Sequence, residues 1–144
     1  MPALGASYTP IWDPDAAGPV EVGIDVVEID RIQAVLARFG ERFLRRVYTE
    51  REIRFCQSRK RATEHLAAHW AAKEAVLRCL GSAYGPGLPR TDIEVRIDRE
   101  GRPEVLLCGA AKERAQNLSV GDIQLSLAFC RAYATATAVA VRRS

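Results

Sequence analysis

The chain lacks any apolar run approaching the roughly 20 residues that cross a bilayer, so no membrane-spanning helix is expected. Its N-terminus lacks the basic stretch and apolar core of a secretory signal. Its four cysteines, Cys56, Cys79, Cys108 and Cys130, include no C-x-x-C pair, which argues against a zinc ribbon or a dithiol redox site. Free thiols in a reducing cytoplasm are the expectation. Histidine is scarce: His65 and His69 stand one helical turn apart, but no cysteine or third histidine completes a zinc set. There are no internal repeats and no low-complexity tract.

What is present is ordinary for a globular domain: 144 residues, 48% hydrophobic and 27% charged. The net charge of +3 is uneven. Between Arg38 and Arg61 nine basic residues face three acids, which makes that segment +6 and leaves −3 for the rest. Such a segment is either a solvated helical face or the footprint of an anionic partner: a phosphate, an acidic protein or a nucleic acid. No interleaving of aromatic and basic residues and no zinc-finger pattern accompanies it, so nucleic acid is not expected.

Residues 1–19 are rich in Pro and Gly and read as an irregular arm, with Ile11 and Trp12 able to latch it to the surface. Val20, Val22, Ile24 and Val26 alternate as in a half-buried strand, with Asp25 on the face opposite Ile24. Helices are expected from about Asp30 to Gly40, around Phe43, Leu44 and Val47, and from Glu50 to about Gln57. The third is announced by the capping-box spacing of Thr49 and Glu52. A basic connector, 58–63, precedes a helix from Glu64 to about Leu80 with Thr63 as its cap. A Gly/Pro loop, a hairpin (Ile93, Val95, Ile97; Val105, Leu107), a short helix at 110–117 and two further strands follow. The order predicts an α+β fold in one domain, residues 20–144.

The helix around 64–80 is the most informative stretch. Leu66, Trp70, Leu77 and Leu80 share one apolar stripe, and Lys73 sits on it, where a lysine must snorkel, pair with an anion or be misplaced. Beside it Ala67 and Ala71 lead to Glu74 and Arg78. Small residues there admit another backbone or a ligand. Glu74 and Arg78 also have the spacing of a surface ion pair.

Two motifs bear on that choice. Gly23-Ile24-Asp25-Val26-Val27-Glu28-Ile29-Asp30-Arg31-Ile32 resembles the N-terminal signature of the holo-acyl-carrier-protein synthase family, the small phosphopantetheinyl transferases. Trp70-Ala71-Ala72-Lys73-Glu74-Ala75-Val76-Leu77-Arg78 resembles its second signature, W/F-x-x-K-E-A-x-x-K. Their separation fits, and the resemblance covers residues 20–142. It implies a Mg²⁺ ion held by Asp25 and Glu74 against the pyrophosphate of coenzyme A. A carrier serine then attacks phosphorus and 3′,5′-ADP leaves, as fatty acid synthesis requires. It places Lys73 close to the diphosphate as a catalytic group. Lys60, Arg61, His69, Arg78, Gly81 and Ser82 fall at coenzyme A-binding positions. Arg31, Arg38 and Arg46 match positions that meet the acidic helix of an acyl carrier protein. Family members are typically trimers, which makes a homotrimer the expected assembly.

The sequence departs from the family pattern in four places. His69 stands where arginine is common, and Arg78 where lysine is common. Gly81-Ser82-Ala83 replaces G-T-G, and Leu127-Ala128-Phe129 lacks the S-x-S/T-H histidine. Arg78 retains the charge but offers a planar fork in place of a point charge. These departures bear on affinity and carrier preference. Those at His69 and Phe129 also motivate the alternative, a coenzyme A-binding relative with lost or altered turnover.

Overall fold

A computed structural model describes residues 19–81 and 87–143. The irregular arm expected at 1–19 therefore lies outside the described residues but for Pro19. The chain runs β1 (Val20–Glu28), α1 (Ile29–Phe39), α2 (Glu41–Val47), α3 (Glu50–Gln57), α4 (Ala62–Cys79), β2 (Ile93–Ile97), β3 (Pro103–Leu107), α5 (Gly109–Asn117), β4 (Val120–Phe129) and β5 (Tyr133–Arg142). A 3-10 turn, Arg90–Asp92, leads into β2. The α+β class expected from the sequence holds. β1, β5 and β4 form an antiparallel three-stranded sheet in that order, and β2 and β3 form a separate hairpin.

The helices begin and end where local chemistry dictates. Gly40, at φ 53°, ends α1 in a backbone conformation that side chains resist. The capping box at α3 is complete: Thr49 Oγ1 accepts from Glu52 N, and the Glu52 carboxylate accepts from Thr49 N. Thr63 does not cap α4 as expected. The helix starts at Ala62, with Arg61 at the cap position making no side-chain cap bond. The basic connector before it thus reduces to the few residues between α3 and α4.

Helix α4 is the axis of the molecule. It carries eleven buried residues, five of them the alanines Ala67, Ala68, Ala71, Ala72 and Ala75. It lies on the β1-β5-β4 sheet, whose covered face also offers alanines, Ala134, Ala136, Ala138 and Ala140 on β5. Small side chains on both surfaces let helix and sheet approach closely. At Gly23 in β1 an added Cβ would stand 2.0 Å from the Ala75 carbonyl oxygen. The room that the sequence showed beside Glu74 is therefore taken in part by a strand backbone.

The half-buried strand holds, with Asp25 on the face opposite Ile24, but the alternating row Val20, Val22, Ile24 and Val26 is not the row that faces the helix. Gly23 and Val27 face it, and Val22, Ile24 and Val26 are 57%, 55% and 60% exposed. Alternation fixes the period of a strand but not which side is covered. Paired with Val139, Thr137 and Thr135 of β5, these residues make an apolar sheet face that nothing in the chain's described residues packs against.

All four cysteines are free, as expected, with Cys56 and Cys79 buried and the other two exposed. Burial pushes the Cys56 thiol up to about 12, so it serves as core packing and not as a nucleophile.

Candidate active site

Consecutive residues of α4 point two acid–base groups in different directions. Lys73 turns inward. Its Nζ lies 2.6 Å from Glu52 Oε1 and donates to the carbonyls of Arg90, at 3.0 Å, and Ile93. Glu52 Oε2 takes a second bond from His69 Nδ1 at 3.0 Å, and the Val95 amide lies 3.4 Å from the same oxygen. An ionised carboxylate only accepts, so Nδ1 carries the imidazole proton. Burial alone would raise the Glu52 carboxyl, but the His69 hydrogen bond and the Lys73 charge outweigh it and hold Glu52 below the usual glutamate range. The network ties α3, α4 and β2 together inside the core.

Two of the expected site residues lie inside this network. Lys73 is fully buried with its ammonium on Glu52, and it is not among the residues that line the cleft of Asp25 and Glu74. His69 is 1% exposed, with its ring between Glu52 and Phe55, and does not present itself to a ligand at the surface. Of the options the stripe left open for Lys73, pairing with an anion is the one realised. The sequence hides the partner because Glu52 also serves the capping box of α3.

Glu74, one residue on, turns outward. With Asp25 of β1 it lines a cleft of about 320 Å³, completed by Val26, Val27, Arg31, Ile32, Val35, Phe43 and Trp70. The two carboxylates are each met by an arginine. Arg78 Nη1 is 2.8 Å from Asp25 Oδ1 and also donates to the Ile24 carbonyl. Arg90 Nε is 2.6 Å from Glu74 Oε1. The i, i+4 pair that spacing suggested between Glu74 and Arg78 is thus replaced by two pairs to other elements. Burial pushes the Asp25 carboxyl above its ordinary value. The Arg78 guanidinium opposes that shift, and the Glu74 charge nearby adds to it. Asp25 therefore lies in the field of Glu74, and each of the two carboxylates holds an arginine against it.

The donor set fits a hard divalent cation. Two carboxylates on facing elements supply oxygen ligands, and the open cleft leaves room for waters and ligand phosphates, as magnesium prefers. Among the described residues no cluster of three or more His, Cys, Asp or Glu side chains forms, so a closed zinc-type cage is not built.

The other expected residues fall around this cleft or away from it. Arg31 is on its wall. Arg46, with Arg42, Val35, Phe39 and Phe43, lines a second groove that shares Val35 and Phe43 with the first. Arg38 is exposed and lies over the Phe39 ring. Lys60 and Arg61 are exposed in the connector before α4. Gly81, at φ 72°, ends α4, where the Arg114 Nε donates to the Leu80 carbonyl. Ser82 lies outside the described residues. Arg90 was missed. A lone arginine after Pro89 in a loop carries no signal of its own, and only the folded turn brings it to Glu74.

A sheet packed on one long helix, with an acid from each converging on a cleft, defines a class, and comparison with known proteins names it. Residues 21–138 match the model of the 4'-phosphopantetheinyl transferase superfamily, and the chain belongs to that family. Within it, the chain is similar to the holo-[acyl-carrier-protein] synthase of Koribacter versatilis, 42% identical over 117 residues that cover 81% of this chain and 94% of the relative. The Moorella thermoacetica synthase is 42% identical over 83% of this chain and 92% of its own. Among solved structures, the Helicobacter pylori holo-[acyl-carrier-protein] synthase in complex with coenzyme A superposes with a TM-score of 0.74 at 28% identity, covering 83% of this chain and 99% of that one. The Chronobacterium ammoniagenes ACPS-CoA complex gives 0.73 at 36% identity, covering 87% and 98%.

Proposed function

We propose that this protein transfers the 4'-phosphopantetheine group of coenzyme A to a serine of an apo acyl carrier protein, releasing 3',5'-ADP, in support of fatty acid synthesis. The observation that carries the reading is the convergence of Asp25 and Glu74 on one cleft in a chain that matches this family from 21 to 138. The serine oxygen forms a bond to the phosphorus that bears the pantetheine arm, and the hydroxyl proton passes to water in the cleft. The bond from that phosphorus to the bridging oxygen breaks, and 3',5'-ADP departs with the electron pair.

Asp25 and Glu74 are the residues that would hold Mg²⁺, and the ion supplies polarisation of the phosphoryl group and neutralisation of charge on the leaving phosphate. Arg78 sits beside Asp25 with a guanidinium that can fork onto phosphate oxygens. Lys60 and Arg61, exposed and cationic, suit the 3'-phosphate. Gly81 and Ser82 remain assigned to the coenzyme only through their position in the family pattern. Arg31, on the cleft wall, together with Arg38 and Arg46, gives an acidic carrier a basic path to the cleft. Charge of this kind chiefly speeds and orients docking.

A homotrimer is part of the same reading. A sheet with one face on a helix and a bare apolar other face needs cover, and the row from Val20 to Val26 provides a contact surface for a second copy. The cytoplasm, which holds coenzyme A and carrier proteins, is the compartment that fits, and among the described residues no helix is long and apolar enough to cross a membrane.

The test is transfer itself. Purified protein, coenzyme A and Mg²⁺ are mixed with several apo carriers, and intact mass is read on the carrier. A phosphopantetheine adduct on at least one carrier is expected. Stabilisation by coenzyme A with no adduct and no 3',5'-ADP would mark a binding protein instead.

A further inference from the structure

Arg90 is not a loosely held surface arginine. Its carbonyl accepts a hydrogen bond from the buried Lys73 ammonium at 3.0 Å. The turn it opens is pinned by Asp92, whose carbonyl accepts from Cys108 N and whose Oδ2 accepts from Ala111 N. Its guanidinium carbon stands 4.7 Å from the centre of the Trp70 ring, and its Nε meets Glu74 Oε1 at 2.6 Å. Neighbouring residues of α4 thus clamp both ends of Arg90: Lys73 holds the backbone, and Trp70 and Glu74 hold the side chain. The Arg45–Glu41 pair offers a contrast, since its side chains are 70% and 71% exposed.

We propose that Arg90 is the resident counter-ion of Glu74 and competes with a divalent cation for it. The proposal rests on the assignment of Asp25 and Glu74 as the metal pair. A dication entering the cleft must bind a carboxylate that a guanidinium already neutralises through Oε1, and then stand close to that positive charge. Both terms weaken metal binding by the free protein. The anionic diphosphate reverses them, because it offers the displaced guanidinium a new partner. Arg90 thereby makes metal loading depend on the nucleotide, so the bare protein holds its cation weakly.

The experiment is a titration of the full chain with Mn²⁺ alone, an EPR-visible substitute for Mg²⁺, with no coenzyme A present. Wild type, Arg90→Gln and Glu74→Gln are compared, with melting curves to confirm folding. Arg90→Gln is expected to bind Mn²⁺ about tenfold more tightly than wild type, the scale on which a nearby unit charge acts on a dication. Glu74→Gln is expected to bind more weakly. If Arg90→Gln binds equally or more weakly while Glu74→Gln binds more weakly, Arg90 only positions Glu74 and the competition is refuted. If Glu74→Gln binds as wild type does, the metal pair itself is wrong and the proposal falls with it. Should Arg90→Gln fail to fold, Arg90→Met, which retains an unbranched stem over Trp70, carries the same expectation.

Discussion

Lys73 Nζ and Glu52 Oε1 stand 2.6 Å apart with both side chains out of solvent, and the same Lys73 donates to the carbonyl of Arg90. The lysine that matches the second family signature thereby ties α4 to α3 and to the turn before β2. It fixes the helix that presents Glu74 and the turn that presents Arg90. Lys73→Met leaves the Glu52 carboxylate buried with one partner fewer, and breaking such a pair from one side costs about 3–5 kcal/mol. Adding Glu52→Gln removes the stranded charge and keeps one oxygen, which can accept from the Thr49 amide or from the Val95 amide and His69 but not from both sides, so the double variant should regain part of that loss. Urea unfolding of the two variants measures it. A single variant as stable as wild type would remove the network from the stability of the fold.

The same carboxylate sets an acid limit. Glu52 is held below the usual glutamate range, because the bond from His69 and the charge of Lys73 overcome burial. A group depressed in the folded state binds fewer protons there than in the unfolded chain, so it stabilises the fold above its unfolded pKa. That contribution fades as pH falls through the usual glutamate range and is gone below the folded value. Melting temperatures taken from about pH 7 to about pH 3 should fall more steeply in wild type than in Glu52→Gln. Parallel curves would contradict this.

The local elements were open to sequence reading because their causes are local. Thr49 and Glu52 cap α3 within four residues, and Gly40 stops α1 by its own backbone freedom. The elements that failed depended on distant partners. The period of β1 was visible, but the side that packs was set by Ala75 of α4 meeting Gly23. Lys73 was recognisable as a charge in an apolar stripe, yet its anion, Glu52, lies on another helix. The convergence of Asp25 and Glu74 needed both motifs together, because neither a strand aspartate nor a helix glutamate is distinctive alone. Arg90 could be found only once the turn was folded.

Gly23 is a steric requirement and not a turn residue. Its Cβ position lies 2.0 Å from the Ala75 carbonyl oxygen and 3.1 Å from Arg78 Cβ. Gly23→Ala must push β1 from α4, and overpacking of this kind costs about 1–3 kcal/mol. The displacement also shifts Asp25, two residues along, relative to Glu74. Transfer should therefore fall by more than the loss of folded protein accounts for, as activity per folded molecule would show. Unchanged activity per folded molecule would mean that the strand position does not govern the site.

The bare face of the sheet gives the last prediction. Val22, Ile24 and Val26 project from β1 on the side away from α4, and each is more than half exposed. A single chain gains little from three aliphatic side chains in water, whereas burying each in a contact stabilises association by about 1.5–3 kcal/mol. A glutamate at Ile24 would place a charge in the middle of that contact with no cation opposite it, since its β5 partner is Thr137. The side chain points away from α4, so the fold of the protomer should survive the change. Ile24→Glu is therefore expected to sediment as a smaller species than wild type at the same concentration while keeping its helical signal. If wild type is already monomeric, or if the variant assembles equally well, the exposed row is not the contact and the trimer must be sought on another surface.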